Sequence, residues 1–166
     1  MGGCCKGKRG RSGVAGDERE IKIRRMTEED IPQVKAIDEL LAGPERALSW
    51  QVGADIEMAV YRPALSFVAE LEGDIVGFVL GDIRGAEYGK DVSGWIDMVG
   101  VDPRHQHVGV GRRLVETFYG MCQQNKVNVE VVIREDDELL KGFFASMGFR
   151  RGDLINFVKE CPSTQQ

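Results

Sequence analysis

Histidine is nearly missing from this chain. His105 and His107 are the only two, and with no further ligands at metal spacing they do not make a zinc site, so no metal is expected. The four cysteines give no framework either. Cys4 and Cys5 are adjacent in a polar stretch, Cys122 falls on the apolar face of a helical pattern and Cys161 stands alone, so no pair has disulfide or ligand spacing. A reduced, cytoplasmic setting is the economical reading. No apolar run approaches the roughly 20 residues of a membrane span, and no secretory core is present, so no membrane partner is expected. Positive charge is in deficit as well: 22 Lys and Arg against 27 Asp and Glu leave a net charge of −5. That argues against a general nucleic-acid binder. It is compatible with an amine-bearing partner, although such a balance mainly reports solubility.

Against these absences stands one rich segment, Val101-Asp-Pro-Arg-His-Gln-His-Val-Gly-Val-Gly-Arg-Arg-Leu114. An extended apolar run, Trp95 to Val101, ends there in a glycine-rich turn that opens a helix. Backbone N–H groups at a helix start have no intrahelical partner and sit at the positive end of the macrodipole, so they gather phosphate oxygens. Gly109 and Gly111 let the backbone approach a ligand, and Arg112 and Arg113 add charge. A P-loop is excluded because Arg112-Arg113 stand where Lys and Ser/Thr are needed. A dinucleotide fingerprint has Glu130 at a suitable distance downstream, but Leu114 occupies the place of its third glycine.

With 166 residues, 42% of them hydrophobic, the chain makes one domain with a sizeable core. Residues 1 to 19 form a basic, glycine-rich tail with almost nothing to bury. Lys6 stands where a myristoylation signal at Gly2 wants Ser or Thr. Residues 20 to 160 read as the domain and 161 to 166 as a short second tail. Strands alternate with helices throughout that domain. Ile21 to Arg25 is a strand; Thr27 caps a helix with an apolar stripe of Ile31, Val34, Ile37 and Leu41; Glu45 to Tyr61 is a second helical region. Ser66 to Leu71 and Ile75 to Asp82 flank the turn Glu72-Gly73-Asp74 as a hairpin. After Trp95 to Val101, a helix spans Gly109 to Gln124, with Val110, Leu114, Val115, Phe118, Met121 and Cys122 on one face. Val127 to Ile133 is a strand, Leu139 to Met147 a helix stopped by Gly148, and Asp153 to Val158 completes the sheet.

The spacing Gln106-x-x-Gly109-x-Gly111, the element order, and Leu140-Lys-Gly-Phe-Phe-Ala-Ser-Met-Gly-Phe149 together resemble the GNAT-type N-acetyltransferases. The resemblance covers almost all of Ile21 to Lys159. It implies an α/β fold: a mixed, mostly antiparallel sheet with helices on both faces and a splayed central strand pair. It also implies acetyl-CoA as co-substrate, an amine acceptor (a protein N-terminus, a lysine or a small metabolite) and a monomer or homodimer. By resemblance, the backbone around Val99, Gly100 and Val101 holds the pantetheine arm, and Gln106, His107, Val108, Gly109, Val110, Gly111 and Arg112 surround the pyrophosphate.

Acyl transfer to an amine needs a base, an oxyanion donor and a way for thiolate to leave. The Val99 N–H is the oxyanion donor by family analogy. Asp97 is a candidate base, since simple alternation puts it on the face of Val99, an inference that a bulge would break. Phe144 replaces the family's thiolate-protonating tyrosine and keeps its place beside the cofactor without a proton to give. Tyr61 and Tyr88 are candidate substitutes, whereas Tyr119 lies well down its helix. Asp137 stands where the family often has an asparagine that touches the cofactor. These departures leave open a non-catalytic acyl-CoA-binding or regulatory module.

Overall fold

The computed structural model describes residues 20–42, 65–85 and 91–159. The helical region expected at 45 to 61, the tyrosines Tyr61 and Tyr88, and both tails lie outside the described residues.

Among the described residues five strands make one sheet in chain order: β1 Lys22–Arg25, β2 Phe67–Leu71, β3 Asp74–Arg84, β4 Ser93–Val101 and β5 Asn128–Val131. The first four pair antiparallel and β5 pairs parallel to β4, as the mixed, mostly antiparallel sheet requires. The β2–β3 hairpin turns on Glu72 and Gly73, with φ of 55° and 95°. Two successive positive φ values match the right-handed twist of the flanking strands, and glycine takes the second without a Cβ penalty.

Helix α1 spans Ile31–Ala42, α2 spans Val110–Gln124 and α3 spans Glu138–Ala145. A 3-10 turn, Glu28–Asp30, precedes α1. There the Asp30 carboxylate reaches back to accept the Thr27 N–H at 2.8 Å, and Arg24 grips both of its oxygens at 2.7 and 2.8 Å. That guanidinium holds the Asp30 carboxyl at about 2, well below the usual range. Helix α1 covers one face through Val34 and Ile37 on Val68, Phe78 and Leu80. Helices α2 and α3 cover the other, with Leu114, Phe118, Cys122 and Phe144 packed on Val76, Val79 and Ile96. Helix α3 ends where Gly148, at φ 85°, lets the Phe149 N–H return to the Phe144 carbonyl, as the glycine's position after the apolar run predicts.

One expected element is absent. Residues Asp153 to Val158 form no strand, and Ile155, Phe157 and Val158 are 77%, 90% and 75% exposed. A ladder needs a neighbouring strand about 4.7–4.9 Å away, and a groove of about 910 Å³ separates the outer edge of β5 from residues 147–153. The segment therefore has β-forming side chains but, among the described residues, no strand beside it. Strand β5 is also shorter than expected, ending at Val131.

Candidate functional site

Pairing between β4 and β5 runs from Ser93↔Asn128 to Ile96↔Val131 and stops. Strand β4 continues to Val101, so its second half faces a gap that β5 has left. What faces the gap follows from hydrogen-bond parity. The Asp102 N–H donates to the Val76 carbonyl at 3.0 Å, so that pair exchanges bonds with β3. Alternate residues in an antiparallel ladder do the same, which turns Gly100 and Met98 toward β3 and aims the N–H and C=O of Val99 and Val101 into the gap. Gln106 marks that side directly, because its Nε2 donates to the Val101 carbonyl at 3.0 Å. Gly100 therefore does not offer its backbone to a ligand. Its hydrogens face Phe78 and Leu41, where a Cβ would come within 2.6 and 2.9 Å.

A register shift lies where the strands part. Leu80 pairs with Met98 and the next residue, Gly81, pairs with Ile96, which leaves Asp97 as an extra residue on β4. This bulge overturns simple alternation: Ile96 and Val99, three apart, both pack against the α2 side. Asp97 is half-exposed and held by Arg84, whose guanidinium carbon also sits 5.5 Å from the centre of the Trp95 ring. Below the bulge the strands are tied together, as the Ser93 hydroxyl donates to Glu130 across the pair at 3.2 Å.

The gap leads into the turn that opens α2. A second 3-10 turn, Pro103–His105, is pinned by Asp102, which is buried and accepts from the Arg104 N–H at 2.8 Å and from its guanidinium at 2.7 Å. The Arg104 guanidinium is the main cause that holds the Asp102 carboxyl at about 2, against burial that pushes the other way. Past it, His107 (φ 64°) and Gly109 (φ 89°) are left-handed. The first helical bond runs from the Arg113 N–H to the Gly109 carbonyl, so the amides of Val110, Gly111 and Arg112 have no intrahelical acceptor. His107, Val108 and Gly109 are exposed and Val110 is buried, so it is the turn before α2 that lies open to solvent beside the gap.

Other expected ligand groups are placed differently. Gly111 needs no unusual φ, and its α-carbon packs against Phe143 and Val101, where a Cβ would stand 3.4 and 3.5 Å away. It brings α2 close to α3. The Arg112 side chain turns to α3, donating to Ser146 Oγ at 2.9 Å, so only its backbone faces the turn. Asp137 caps α3 by accepting the Leu140 N–H at 2.9 Å. Phe144 is 3% exposed and lies edge-on between Phe143 and Phe149, at 5.1 and 5.2 Å. Sequence reasoning missed Arg84, Asp102 and Arg104. For the last two a signal was present, since Asp-Pro-Arg places a capping carboxylate before a proline-initiated turn.

Among the described residues no cluster of His, Cys, Asp and Glu is able to hold a metal ion, and no helix is long and apolar enough to cross a membrane.

Residues 34–149 match the acetyltransferase (GNAT) family. No curated protein matches the sequence. Among solved structures, the fold is similar to AAC(6′)-Iy in complex with the bisubstrate analogue CoA-S-monomethyl-acetylneamine, at 16% identity and a TM-score of 0.68, over 86% of this chain and 99% of that one. It is also similar to a possible acetyltransferase from Clostridium difficile 630, at 16% identity and a TM-score of 0.67, over 85% and 97% of the two chains. Ard1 from Thermoplasma volcanium gives 21% identity and a TM-score of 0.60, over 80% and 84%.

Proposed function

The chain belongs to the acetyltransferase (GNAT) family, and from that premise we propose that it transfers an acetyl group from acetyl-CoA to a primary amine. The observation that carries this reading is the continuity of the gap edge, Val99 and Val101, with the exposed turn from His107 to Gly109 that opens α2. An extended, amide-bearing arm that ends in a diphosphate fits such a surface end to end. The diphosphate would take the N–H groups of the turn from His107 to Arg112, and the arm would follow the β4 edge. Acetyl-CoA, when bound, supplies an activated thioester carbonyl. The association of similar folds with CoA and aminoglycoside substrates supports both the donor and an amine acceptor.

The protein's part is then to aim donors and remove a proton. Val99 N–H faces the gap from a β-sheet strand, so it is fixed before any charge develops on a carbonyl oxygen, and one such donor is worth about 3 kcal/mol. Asp97, at the bulge, is the carboxylate next to the opening of the gap. Its pairing with Arg84 must loosen before it accepts a proton from an ammonium acceptor. Phe144 has no proton to donate, and a thiol of pKa about 8.5 leaves without one. Calorimetry with CoA and an acceptor screen that reads thiol release, run on the full chain with acetyl-CoA and longer acyl-CoAs, test the proposal. Thiol release that depends on an amine is expected. A folded protein with no CoA affinity overturns it.

A further inference from the structure

Arg84 ends β3 beside the point where β4 and β5 part. It lies directly across from Ser93, and its guanidinium reaches the Asp97 carboxylate at the bulge. The guanidinium carbon also stands 5.5 Å from the centre of the Trp95 ring. A cation held between a carboxylate and an indole face is bound by charge and by the ring's quadrupole together. With a group of its own, the chain therefore shows that this point on the sheet holds a cation. The surroundings favour a second one. Asp82 of β3 is directly opposite Trp95, so it shares a face with that ring. Glu130 of β5 accepts from the Ser93 hydroxyl, which puts it on the face of Ser93 and, two residues on, of Trp95. Arg84 thus brings one positive charge to a face where Asp82, Asp97 and Glu130 bring negative ones. Its hold is weak as well, because the Arg84 and Asp97 side chains are 41% and 43% exposed, and an ion pair so open to water yields to a competing cation. Pairing of β4 with β5 ends one residue before Asp97, at Ile96↔Val131, so the carboxylate sits at the mouth of the gap.

We propose that Arg84 is a specificity-determining residue for the acceptor: its guanidinium is a tethered competitor that occupies, between Asp97 and Trp95, the place an acceptor's ammonium takes. The proposal rests on the acetyl-transfer reading and deepens it. An amine reaches Asp97 by displacing the guanidinium, so the acceptor arrives as a cation and exchanges places with one. A neutral or anionic molecule of the same size has nothing to offer Asp97 in exchange, and Arg84 stays where it is. The tether makes the competition constant, since the guanidinium is present at the same local concentration whatever the solution holds. Arg84 touches Asp97 and the Trp95 ring and none of the groups around the diphosphate turn, so its effect belongs to acceptor binding and not to CoA. Weak, exposed pairing suits that role: a buried pair would shut the site, whereas this one sets a threshold that an ammonium overcomes.

The full chain is compared with Arg84→Gln, which removes the competitor, and Arg84→Lys, which keeps a tethered cation; at an exposed position both should keep the parent's circular dichroism spectrum. Tetramethylammonium, a cation that cannot be acetylated, is titrated into each while the Trp95 indole N–H resonance is followed by NMR. Amine-dependent thiol release gives KM and kcat for the best amine of the acceptor screen. Arg84→Gln should bind tetramethylammonium at Trp95 at least about threefold more tightly than the parent and lower the acceptor KM about threefold to fivefold, with kcat no lower. Arg84→Lys should stay within about twofold of the parent in both measurements. A side chain that only braces the end of β3 would shift the unfolding midpoint and leave KM alone, and that result overturns the proposal. So does equal tetramethylammonium affinity in the parent and Arg84→Gln, or a KM for Arg84→Lys that falls as far as that of Arg84→Gln. A chain that binds no CoA, or releases no thiol with any amine, sinks the acetyl-transfer reading and this proposal with it. CoA binding and turnover with an unmoved KM sink this proposal alone.

Discussion

Strand β5 borders two openings, and they are built differently. On its inner side β4 leaves at Ile96↔Val131, and the exposed edge is surrounded by groups that cannot move easily: Gln106 on the Val101 carbonyl, Asp102 on Arg104, and the left-handed His107 and Gly109. On its outer side the groove is lined by Val115, Tyr119 and Val129, and the fixed polar groups there, Arg112 on Ser146 and Glu130 on Ser93, are side chains already bonded to other side chains. Fixed donors around the inner gap are preorganised for a small charged ligand. The openings share one strand, and what separates them is the kind of polar group at the rim: backbone on the inner side, side chains bonded to one another on the outer.

The largest effect should come from closing the inner opening at its root. A Cβ on Gly81 would stand 2.3 Å from the Trp95 carbonyl oxygen and 2.5 Å from the Phe118 ring. Neither neighbour is a flexible end that swings away. Gly81→Val should cost about 3 kcal/mol or more, read from urea melts, because it forces β3 from β4 at the bulge. A loss under about 1 kcal/mol would mean that the register there is not what positions Val99.

Next in size is Gly109→Val. Nothing lies within 4 Å of a Cβ there, so space is not the obstacle, but φ is 89°. A β-branched residue in that conformation costs about 1–2 kcal/mol, and relaxing it re-aims the amides that follow. CoA affinity should fall at least about tenfold while the circular dichroism spectrum stays that of the parent. An unchanged affinity in a folded variant would mean that the amides after Gly109 do not hold the ligand.

How much of this could be read from residues alone differs between the two sides of β5. The helix start at Gly109, the periodic face of α2, the hairpin at Glu72-Gly73 and the stop at Gly148 are local events with local chemistry, and each is where its residues put it. The bulge at Asp97 is not local. It depends on how β3 and β4 pair, and no spacing within β4 announces it. Asp137 and Arg112 show a second limit, since a carboxylate or a guanidinium near a helix end serves a ligand or a cap equally well, and here α3 claims both. Asp153 to Val158 shows a third. Its side chains specify a strand, but strand formation belongs to a pair of segments, and the sequence of one says nothing of where the other stands.

Acid separates the inner rim from the rest of the fold by a smaller margin. Asp102 and Asp30 both titrate at about 2 when folded, below the ordinary 3.8, through Arg104 and Arg24 respectively. A carboxyl depressed on folding stabilises the fold above its unfolded pKa and ceases to do so as pH falls through the folded one. Each contribution should therefore be present above about pH 4 and vanish toward pH 2. Asp102→Asn and Asp30→Asn should each flatten that part of the stability profile. Only Asp102→Asn should also weaken CoA binding, because only Asp102 holds the turn before the amides. Equal weakening by both would assign the effect to general loss of stability.

The smallest effect is expected at Arg112, and its smallness carries the information. Two arginines follow the glycine turn, and electrostatics alone would have both attract a diphosphate. The Arg112 guanidinium instead donates to the Ser146 hydroxyl and lies 3.6 Å from the Glu116 carboxylate, an exposed arrangement worth under about 0.5 kcal/mol. What Arg112 gives the turn is its N–H, which alanine also has. Arg112→Ala should therefore change stability by less than about 0.5 kcal/mol and CoA affinity by less than about threefold, with the salt dependence of binding unaltered. Calorimetry at two ionic strengths checks both. A loss of tenfold or more that shrinks in high salt would show the guanidinium swinging from Ser146 to the phosphates, which would make the inner rim as mobile as the outer one and remove the distinction drawn between them.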